Sequence, residues 1–312
     1  MTTLLQWMEE LEQKKTEDPS NLRFQIEWRK NEPMSRHTTF RIGGSAVLYA
    51  VCKSVDALAM LTEECRKREI PWLILGNGSN VLFSDEGFEG VVISTTGLDH
   101  VTIKEHTVTV EAGANLTAVS KLARDASLTG MEFAHGIPGS CGGAVFMNAG
   151  AYDGEMKNIV TESTYLDTAD GTLHTISAEE HCFGYRESIY RSHPDWIIVS
   201  AKLALSPGKK EEITAKMDDF MSRRVSKQPL EYPSAGSVFK RYPGRYTAQM
   251  IDEAGLKGAS VGGAQVSEKH AGFIINTGGA TCADVTELIR QIKEKIHEQF
   301  GIHIECELIR IP

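Results

Sequence analysis

Two glycine-rich segments carry the residue types and spacing that point most directly to chemistry in this chain. The first is Gly76-Asn77-Gly78-Ser79-Asn80 and the second runs from Gly136 to Gly143, with the sequence GIPGSCGG. Glycine has no Cβ and tolerates positive φ, so successive backbone N–H groups in such segments can converge on an anion. Either segment alone is better explained as an ordinary turn. The pair favours a cradle for the pyrophosphate of a large dinucleotide.

The common nucleotide-binding fingerprints do not fit these segments. Gly78 is followed by Ser79, Asn80 and Val81 rather than by a third glycine that opens a helix, which disfavours a Rossmann fold. Neither segment ends in the Lys-Ser/Thr pair of a nucleoside triphosphate loop. The following residues, VLFSDEGFEGVVI, predict strand, turn and strand. A different cofactor fold is therefore expected.

Composition excludes several classes of partner. The chain has 312 residues, with 33 basic and 42 acidic side chains and a net charge of -9, so nucleic acid and anionic membranes would be repelled. Leu4, Met8 and Leu11 share one face near the N-terminus, which predicts an amphipathic helix rather than a secretory signal. No apolar run reaches transmembrane length. We expect no membrane or nucleic-acid partner.

Cysteine and histidine usage argues against disulfides and metals. The six cysteines form no C-x-x-C pair, which predicts a reducing, cytoplasmic location. Cys141 lies inside the second glycine segment and is better explained as a small filler than as a nucleophile, because no His or acid partner is identifiable. The ten histidines show no metal-ligand spacing, so no metal is expected.

The apolar patterns between about residues 36 and 205 alternate short strands with a few helices, which predicts an α+β fold. Strands are expected at 72–76, 90–94, 101–113 and 196–205, and helices at 54–68 and 115–127, the second capped by Asn115. The polar, turn-prone segment 206–212 marks a domain boundary. A helix with Ile213, Met217 and Phe220 at core spacing follows it.

The C-terminal part is expected to contain a basic, proline-punctuated loop from Arg223 to Gly244 and a long helix at about 282–300. Thr281 and Asp284 predict a capping box for that helix, and Gly301 ends it. Residues 302–312 alternate like a final strand, with His303, Glu305 and Glu307 on one face. Without other observations, these acids indicate only the solvated side of an edge strand.

Two further segments contain chemically useful side chains. Arg186, in the loop Phe183–Ser188, can clamp a carboxylate, or it can stack on Tyr185 and pair with Glu187 in a purely structural role. Ser237 follows a glycine in the segment SAGSVFKR at 234–241, close in sequence to several basic side chains. Such a basic cluster suits a diphosphate, although a solvated basic face is the ordinary explanation.

Taken in order, these segments resemble one family. The motifs are RHTTFRIGG (36–44), LILGNGSNVLFSDEGFEG (73–90), GIPGSCGGAVFMNAGAY (136–152), FGYRESIY (183–190), AGSVFKR (235–241) and the terminal IECEL. They are similar to UDP-N-acetylenolpyruvoylglucosamine reductases from about Arg36 to the C-terminus. The chain lacks the inserted tyrosine-bearing loop of one branch, so it more closely resembles the shorter, type II branch.

The resemblance implies a vanillyl-alcohol-oxidase-type (PCMH-type) FAD-binding fold followed by a MurB-type α+β substrate domain. The N-terminal helix, expected at 1–20 from its apolar spacing, lies outside the resemblance, which implies an FAD-binding region at 21–206 and a substrate domain at 207–301. The FAD-binding region would comprise subdomains of about 21–95 and 96–206, with the terminal strand 302–312 returning to it. The residues implied to bind FAD are Arg41, Gly43, Gly44, Gly76, Asn77, Gly78, Ser79, Asn80, Val81, Gly113, His135, Ile137, Pro138, Gly139, Ser140, Gly142, Gly143 and Ala144.

The implied activity is the NADPH-dependent, FAD-mediated reduction of UDP-N-acetylglucosamine enolpyruvate to UDP-N-acetylmuramate, a step in peptidoglycan precursor synthesis. Hydride passes from the reduced flavin N5 to the enolpyruvyl methylene carbon. In this scheme Arg186 and Glu307 stabilise the developing charge and Ser237 supplies the proton. Residues implied to hold the sugar nucleotide are Tyr185, Arg224, Lys227, Lys240, Arg241 and His270.

Some matters stay open at this level. His270 occupies a position where other members use an amide, and Arg310 falls one residue later than in a common arrangement, so Arg310 receives no role. The sequence does not decide between Glu305 and Glu307. A flavin oxidase on the same cofactor fold and a nucleotide-binding protein without catalysis are the alternatives, and intact Arg186, Ser237 and Glu307 speak against the second. A monomer is expected.

Overall fold

The computed structural model describes residues 2–13 and 25–312. The predicted helix and domain segment 1–20 therefore lies partly outside the described residues. The α-helices are α1 Thr2–Gln13, α2 Val55–Lys67, α3 Leu116–Asp125, α4 Cys141–Phe146, α5 Lys210–Lys227, α6 Thr247–Glu253 and α7 Cys282–Phe300. The first strands are β1 Ile26–Pro33, β2 Ser45–Cys52, β3 Trp72–Leu75, β4 Val81–Phe83, β5 Phe88–Ser94, β6 Val101–Lys104, β7 Thr107–Glu111, β8 Leu128–Thr129, β9 Gly150–Ala151 and β10 Gly154–Glu155. The later strands are β11 Val160–Asp167, β12 Thr172–Ser177, β13 Trp196–Ala204, β14 Ser206–Pro207, β15 Ser234–Ser237, β16 Ser260–Val261, β17 Ala264–Val266, β18 Phe273–Asn276 and β19 Ile309–Ile311.

The chain divides into two compact units. The first comprises Met1–Asn31, Val47–Asn77 and Glu89–Ser222, and the second comprises Glu32–Ala46, Gly78–Phe88 and Arg223–Pro312. Among the described helices, none combines the length and the hydropathy needed to cross a lipid bilayer.

The first unit is built on two sheets. One has the order β1-β2-β5-β3, and the other is antiparallel with the order β12-β11-β13-β7-β6. Helices α1 and α2 contribute Met8, Leu58 and Leu61 to the core of the first sheet, and these three side chains are fully buried. The predicted amphipathic helix is thus confirmed over the described residues 2–13.

Local capping signals place the helices of this unit where the sequence predicts them. The Ser54 hydroxyl accepts the Ala57 N–H at the start of α2, and the Asn115 side chain accepts the Ala118 N–H at the start of α3. Glu180 accepts both the N–H and the hydroxyl of Ser177, which fixes the short 3₁₀ turn before Arg186.

The second unit has a four-stranded antiparallel sheet with the order β15-β18-β17-β16, on which α7 packs through Val285, Leu288 and Ile292. The capping box is present, because Thr281 and Asp284 exchange hydrogen bonds at the start of α7. Gly301 ends the helix with a left-handed φ of 69°. The long helix and both its ends are therefore confirmed.

Two expectations about the C-terminal part are wrong. The basic segment from Arg223 does not begin as a loop, because α5 continues to Lys227. Basic side chains in a last helical turn interact favourably with the helix dipole, and the first proline comes only at Pro229. The final strand covers only Ile309–Ile311, parallel to β4, instead of the whole of 302–312. It starts late because the N–H groups of Glu307 and Leu308 both go to the Val238 carbonyl.

Candidate functional site

The two glycine segments approach each other within the first unit. Asn77 Nδ2 donates a hydrogen bond to the Pro138 carbonyl at 3.0 Å. A Cβ added to Gly76 would lie 2.2 Å from Ser140 Oγ and 3.2 Å from Ser140 Cβ, so a side chain at this position would force Ser140 or one of the segments to move. Ser140 also caps α4 by accepting the Gly143 N–H at 3.4 Å. The sequence predicted both segments, and the structure brings them together.

Several backbone amides at this meeting point are available as donors. Some N–H groups of the second segment already donate hydrogen bonds within the protein. Gly136 donates to the Thr117 hydroxyl, and Ile137, Cys141 and Gly142 donate to the carbonyls of Ala134, Ala114 and Ala112. Within residues 2–13 and 25–312, the N–H groups of Gly76, Asn77, Gly139 and Ser140 have no hydrogen-bond partner. Unpaired amides beside a glycine that admits no Cβ suit the oxygens of a pyrophosphate. This local geometry fits the predicted cofactor.

Other glycines implied in cofactor binding are required by close backbone packing or by their backbone conformation. In the first unit, a Cβ on Gly113 would lie 1.9 Å from the Thr95 carbonyl oxygen. In the second unit, Gly78 at φ +60° passes close to the His37 carbonyl and Gly44 passes close to the Asp85 carbonyl. Gly43 has a φ of +130°, which strains any side chain. Direct contacts from these glycines and from Arg41, Val81, His135 and Ala144 to the cofactor stay predictions.

Arg186 lies at the tip of a tight turn in the first unit. Gly184 and Glu187 exchange backbone hydrogen bonds on either side of it, and Arg186 has a left-handed φ of 57°. Its Nη2 donates to the Gly150 carbonyl at 3.2 Å, and its guanidinium lies 5.0 Å from the centre of the Tyr185 ring. The stacking on Tyr185 that the structural interpretation expected is present. A carboxylate-binding role stays a prediction.

Backbone bonding brings the segments of Ser237 and Glu307 together in the second unit. The Val238 N–H donates to the Gly272 carbonyl, and the Val238 carbonyl accepts the Glu307 N–H at 2.8 Å. Ser237 is paired with Phe273 across β15 and β18. Asn80 Nδ2 donates to the Glu307 carbonyl at 3.2 Å. The backbone therefore brings together two segments, those of Ser237 and Glu307, that lie far apart in sequence.

The two terminal acids differ in environment. Glu305 is 76% exposed and pairs with Lys240, its Oε2 lying 3.0 Å from Nζ. Glu307 is half-buried beside the Val238 peptide. An acid that is shielded from water and protonated can donate a hydrogen bond to a substrate carboxylate. The assignment of the catalytic role to Glu307 stays a prediction.

The residues implied in sugar-nucleotide binding are only partly exposed. Lys227 and Arg241 are exposed, and the Arg241 guanidinium lies 5.3 Å from the centre of the Tyr246 ring. Arg224 is only 6% exposed, with Nη1 3.5 Å from Gln228 Oε1. Burial lowers the pKa of His270, and its Nδ1 accepts the Gly272 N–H. His270 is therefore neutral at pH 7 and suits hydrogen bonding better than charge pairing.

Cys141 does not have the environment of a nucleophile. It is 1% exposed, and burial raises the pKa of its thiol to about 12. Since the thiolate is the nucleophilic form, this supports its interpretation as a small filler. Asp167, Asp170 and His174 lie close enough to share a metal ion, but the last two are exposed and pair with each other at 3.3 Å. The prediction of no metal stays a prediction.

Comparison with known proteins decides the family. The chain is 49% identical over 278 residues to a UDP-N-acetylenolpyruvoylglucosamine reductase from Caldanaerobacter subterraneus subsp. tengcongensis, covering 89% of this chain and 91% of that one. The chain belongs to the UDP-N-acetylenolpyruvoylglucosamine reductase family. A second member, from Syntrophomonas wolfei subsp. wolfei, is 48% identical over 279 residues, covering 89% and 93% of the two chains.

Domain and structure comparisons agree with this membership. Residues 228–311 match the C-terminal domain of UDP-N-acetylenolpyruvoylglucosamine reductase, and residues 46–177 match an FAD-binding domain. The crystal structure of the reductase from Thermus caldophilus matches with a TM-score of 0.78 and 35% identity, covering 92% of this chain and 99% of that one. The predicted α+β fold with an FAD-binding domain and a reductase C-terminal domain, and the FAD cofactor, are confirmed.

Sequence reasoning missed two residues that organise a reductase of this family. Asp85 accepts the N–H groups of Cys282 and Ala283 at the start of α7, 197 and 198 residues away. Asn148 is fully buried at φ +42° and hydrogen-bonds the turn that carries Arg186. Asparagine in a segment rich in glycine and alanine signals a left-handed position. No local sequence pattern predicts the hydrogen bonds of Asp85 to the start of α7.

Proposed function

We propose that this chain reduces the enolpyruvyl ether of UDP-N-acetylglucosamine to UDP-N-acetylmuramate, with FAD as bound cofactor and NADPH as electron donor. The identity of 49% across 89% of the chain to a named reductase carries this proposal, because it spans both the FAD-binding and the C-terminal matches. The residues Arg186, Ser237 and Glu307 that the reaction needs are all present. The product belongs to peptidoglycan precursor synthesis.

When bound, FAD supplies the hydride that adds to the methylene carbon of the substrate. Negative charge then grows on the neighbouring carboxylate of the substrate. Arg186 offers a fixed cation for that charge, and the Glu307 carboxyl group offers a hydrogen bond. Because both sit on backbone segments fixed by hydrogen bonds, they need little reorganisation as the charge develops.

Ser237 completes the reduction by donating its hydroxyl proton to the carbon next to the carboxylate. A serine hydroxyl is a weak acid in water, so this step depends on close placement and on nearby positive charge. Lys240, three residues further along the chain, is the candidate for that charge. Donation by a positioned acid contributes roughly 10²–10⁴-fold to the rate.

The test separates the two half-reactions in an anaerobic stopped-flow experiment. NADPH is first mixed with the enzyme to bleach the flavin absorbance, and the sugar nucleotide is then added to restore it. Ser237→Ala should slow the second phase by about 10²–10⁴-fold and leave the first unchanged. Ser234→Ala, on the same strand, is the matched control. Equal slowing of both phases would contradict the role of Ser237, and bleached flavin that only oxygen restores would contradict the substrate.

Domain limits, location and assembly form a further part of the proposal. We assign 21–206 to FAD binding and 207–301 to substrate binding, following the N-terminal helix. All six cysteines are free, which supports a reducing, cytoplasmic location. We propose a monomer, which light scattering during gel filtration tests directly. A mass near twice 34.4 kDa would contradict it.

A further inference from the structure

A buried side-chain amide outside the turn that carries Arg186 helps to fix it. Asn148 follows α4 and is fully buried. Its Nδ2 donates to the Gly184 carbonyl at 2.8 Å and to Glu155 Oε2 at 3.0 Å, while its Oδ1 accepts the Lys157 N–H at 2.9 Å. Both side-chain hydrogens and the oxygen of the amide are therefore in use. Such a satisfied, buried polar group specifies one local arrangement.

The Gly184 carbonyl, which accepts the Asn148 amide, also helps to set the position of Arg186. The Gly184 carbonyl also accepts the Glu187 N–H that closes the turn around Tyr185 and Arg186. Any shift of Gly184 therefore moves Arg186 with it. A second tie runs in parallel, because Ser188 Oγ donates to the Phe146 carbonyl at 2.7 Å. Both ties join the turn to the C-terminal end of α4, whose first residues belong to the second glycine segment.

The backbone of Asn148 points to the same role. Its φ of +42° is rare for a residue with a side chain, and glycine would adopt it more easily. Asparagine tolerates this conformation and adds the amide that reaches Gly184. We infer that Asn148 is a positioning residue for the reduction, which holds the Arg186 turn in register with α4. This inference rests on the proposed role of Arg186.

Asn148→Gly tests the inference, because glycine keeps the left-handed backbone and removes only the amide. Misplacing a catalytic group by about 1 Å costs about 10²-fold in rate, so the substrate-dependent phase should slow by about that factor. Flavin bleaching by NADPH should keep its wild-type rate. In an Arg186→Ala background, the same change should slow the substrate phase by less than about twofold, because two residues that act through one group are not additive.

A measurement without turnover separates positioning from general damage. In hydrogen–deuterium exchange of the full chain, a peptide covering 183–190 should exchange faster in Asn148→Gly. The Gly184 carbonyl, which accepts the Glu187 N–H, is then no longer held by the Asn148 amide. A peptide covering β11 should be unchanged. Faster exchange in both peptides, or in neither, would overturn the inference.

A second variant covers the case in which Asn148→Gly does not fold. Asn148→Asp combined with Glu155→Gln exchanges donor and acceptor, so the side chain volume, the net charge and the contact between these two residues are retained. The Gly184 carbonyl then faces an oxygen, and the substrate phase should again slow by about 10²-fold. Glu155→Gln alone keeps the bond to Gly184 and is the control, with the wild-type rate expected.

The outcomes distinguish this inference from the proposed function. If Arg186→Ala is impaired and Asn148→Gly multiplies its defect by a further 10²-fold or so, the inference fails and the role of Arg186 stands. If Arg186→Ala reduces the substrate at the wild-type rate, the proposed role of Arg186 is wrong and the inference falls with it. A non-additive pair of variants supports both.

Discussion

Gly76→Ala is the sharpest test of the cofactor cradle, because the structure gives the size of the clash. The new Cβ would lie 2.2 Å from Ser140 Oγ, whereas carbon and oxygen in ordinary contact lie about 3.4 Å apart. The relief needed is therefore roughly 1 Å. The φ of Gly76 lies outside the left-handed region, so alanine introduces no backbone strain. The effect must come from the contact between the two segments.

Two kinds of relief are available, and both have a cost. If Ser140 Oγ rotates away, α4 loses its cap, which destabilises the apoprotein by about 1 kcal/mol. If the segments separate instead, the amides of Gly76 and Ser140 no longer converge. Loss of one hydrogen bond to a charged group costs about 1.5–3 kcal/mol, which corresponds to roughly 10- to 150-fold in the Kd for FAD.

The assay is titration of the apoprotein with FAD, followed by quenching of flavin fluorescence, alongside thermal unfolding of the apoprotein. Ser140→Gly removes the clashing Oγ and Cβ, and glycine replaces serine at a helix cap at a cost of only a few tenths of a kcal/mol. This variant should bind FAD nearly as well as wild type. The double variant Gly76→Ala/Ser140→Gly should recover most of the lost affinity. The reasoning is refuted if Gly76→Ala both binds FAD normally and unfolds at the wild-type temperature, or if Gly76→Ala binds FAD weakly and the double variant binds it no better.

Three further predictions concern acids and buried histidines. Glu307→Gln should slow substrate reduction by about 10²-fold or more, and Glu305→Gln by less than about threefold; the reverse order would transfer the role to Glu305. Asp85→Ala removes the acceptor at the N-terminus of α7 and should lower the free energy of unfolding by about 0.5–2 kcal/mol in urea, with an unchanged value counting against the cap. Burial lowers the pKa of His181 and His270, so the unfolded chain binds more protons than the folded chain below about pH 6.5. The contribution of each neutral imidazole to the free energy of unfolding should be fully present above that pH. It should fall as the pH drops towards the folded pKa values, by at most about 1.4 kcal/mol per pH unit for each imidazole. Urea titrations at a series of pH values would show a flat profile if this is wrong.

The features that the sequence predicts well are those with local causes. Asn115 and the pair Thr281 and Asp284 cap helices through atoms only a few residues away, so their types and spacing suffice. The glycine segments are recognisable for the same reason. Their juxtaposition, by contrast, depends on Asn77 reaching Pro138, 61 residues further along the chain. Spacing alone suggested that partnership without determining its geometry.

The features that the sequence misplaces depend on competition between distant partners. Alternation from Ile302 onwards predicts a continuous strand, but a strand needs an unbroken series of partners. The terminal segment bonds first to residues 238–240 and then to β4, and it is irregular where it changes from one to the other. The role of Asp85 was missed for a similar reason, because its partners at the start of α7 belong to a distant part of the chain.

The position of Glu307 is fixed by its backbone, and this makes its substitution interpretable. Its N–H donates to the Val238 carbonyl, and its own carbonyl accepts from Asn80 Nδ2. Neither bond involves the carboxyl group, so glutamine at this position keeps both. The same holds for Ser237, whose place depends on the strand pairing of β15 with β18 rather than on its hydroxyl. A loss of rate in either variant therefore reports the chemistry of the side chain, whereas a loss in Asn148→Gly reports the placement of the Arg186 turn.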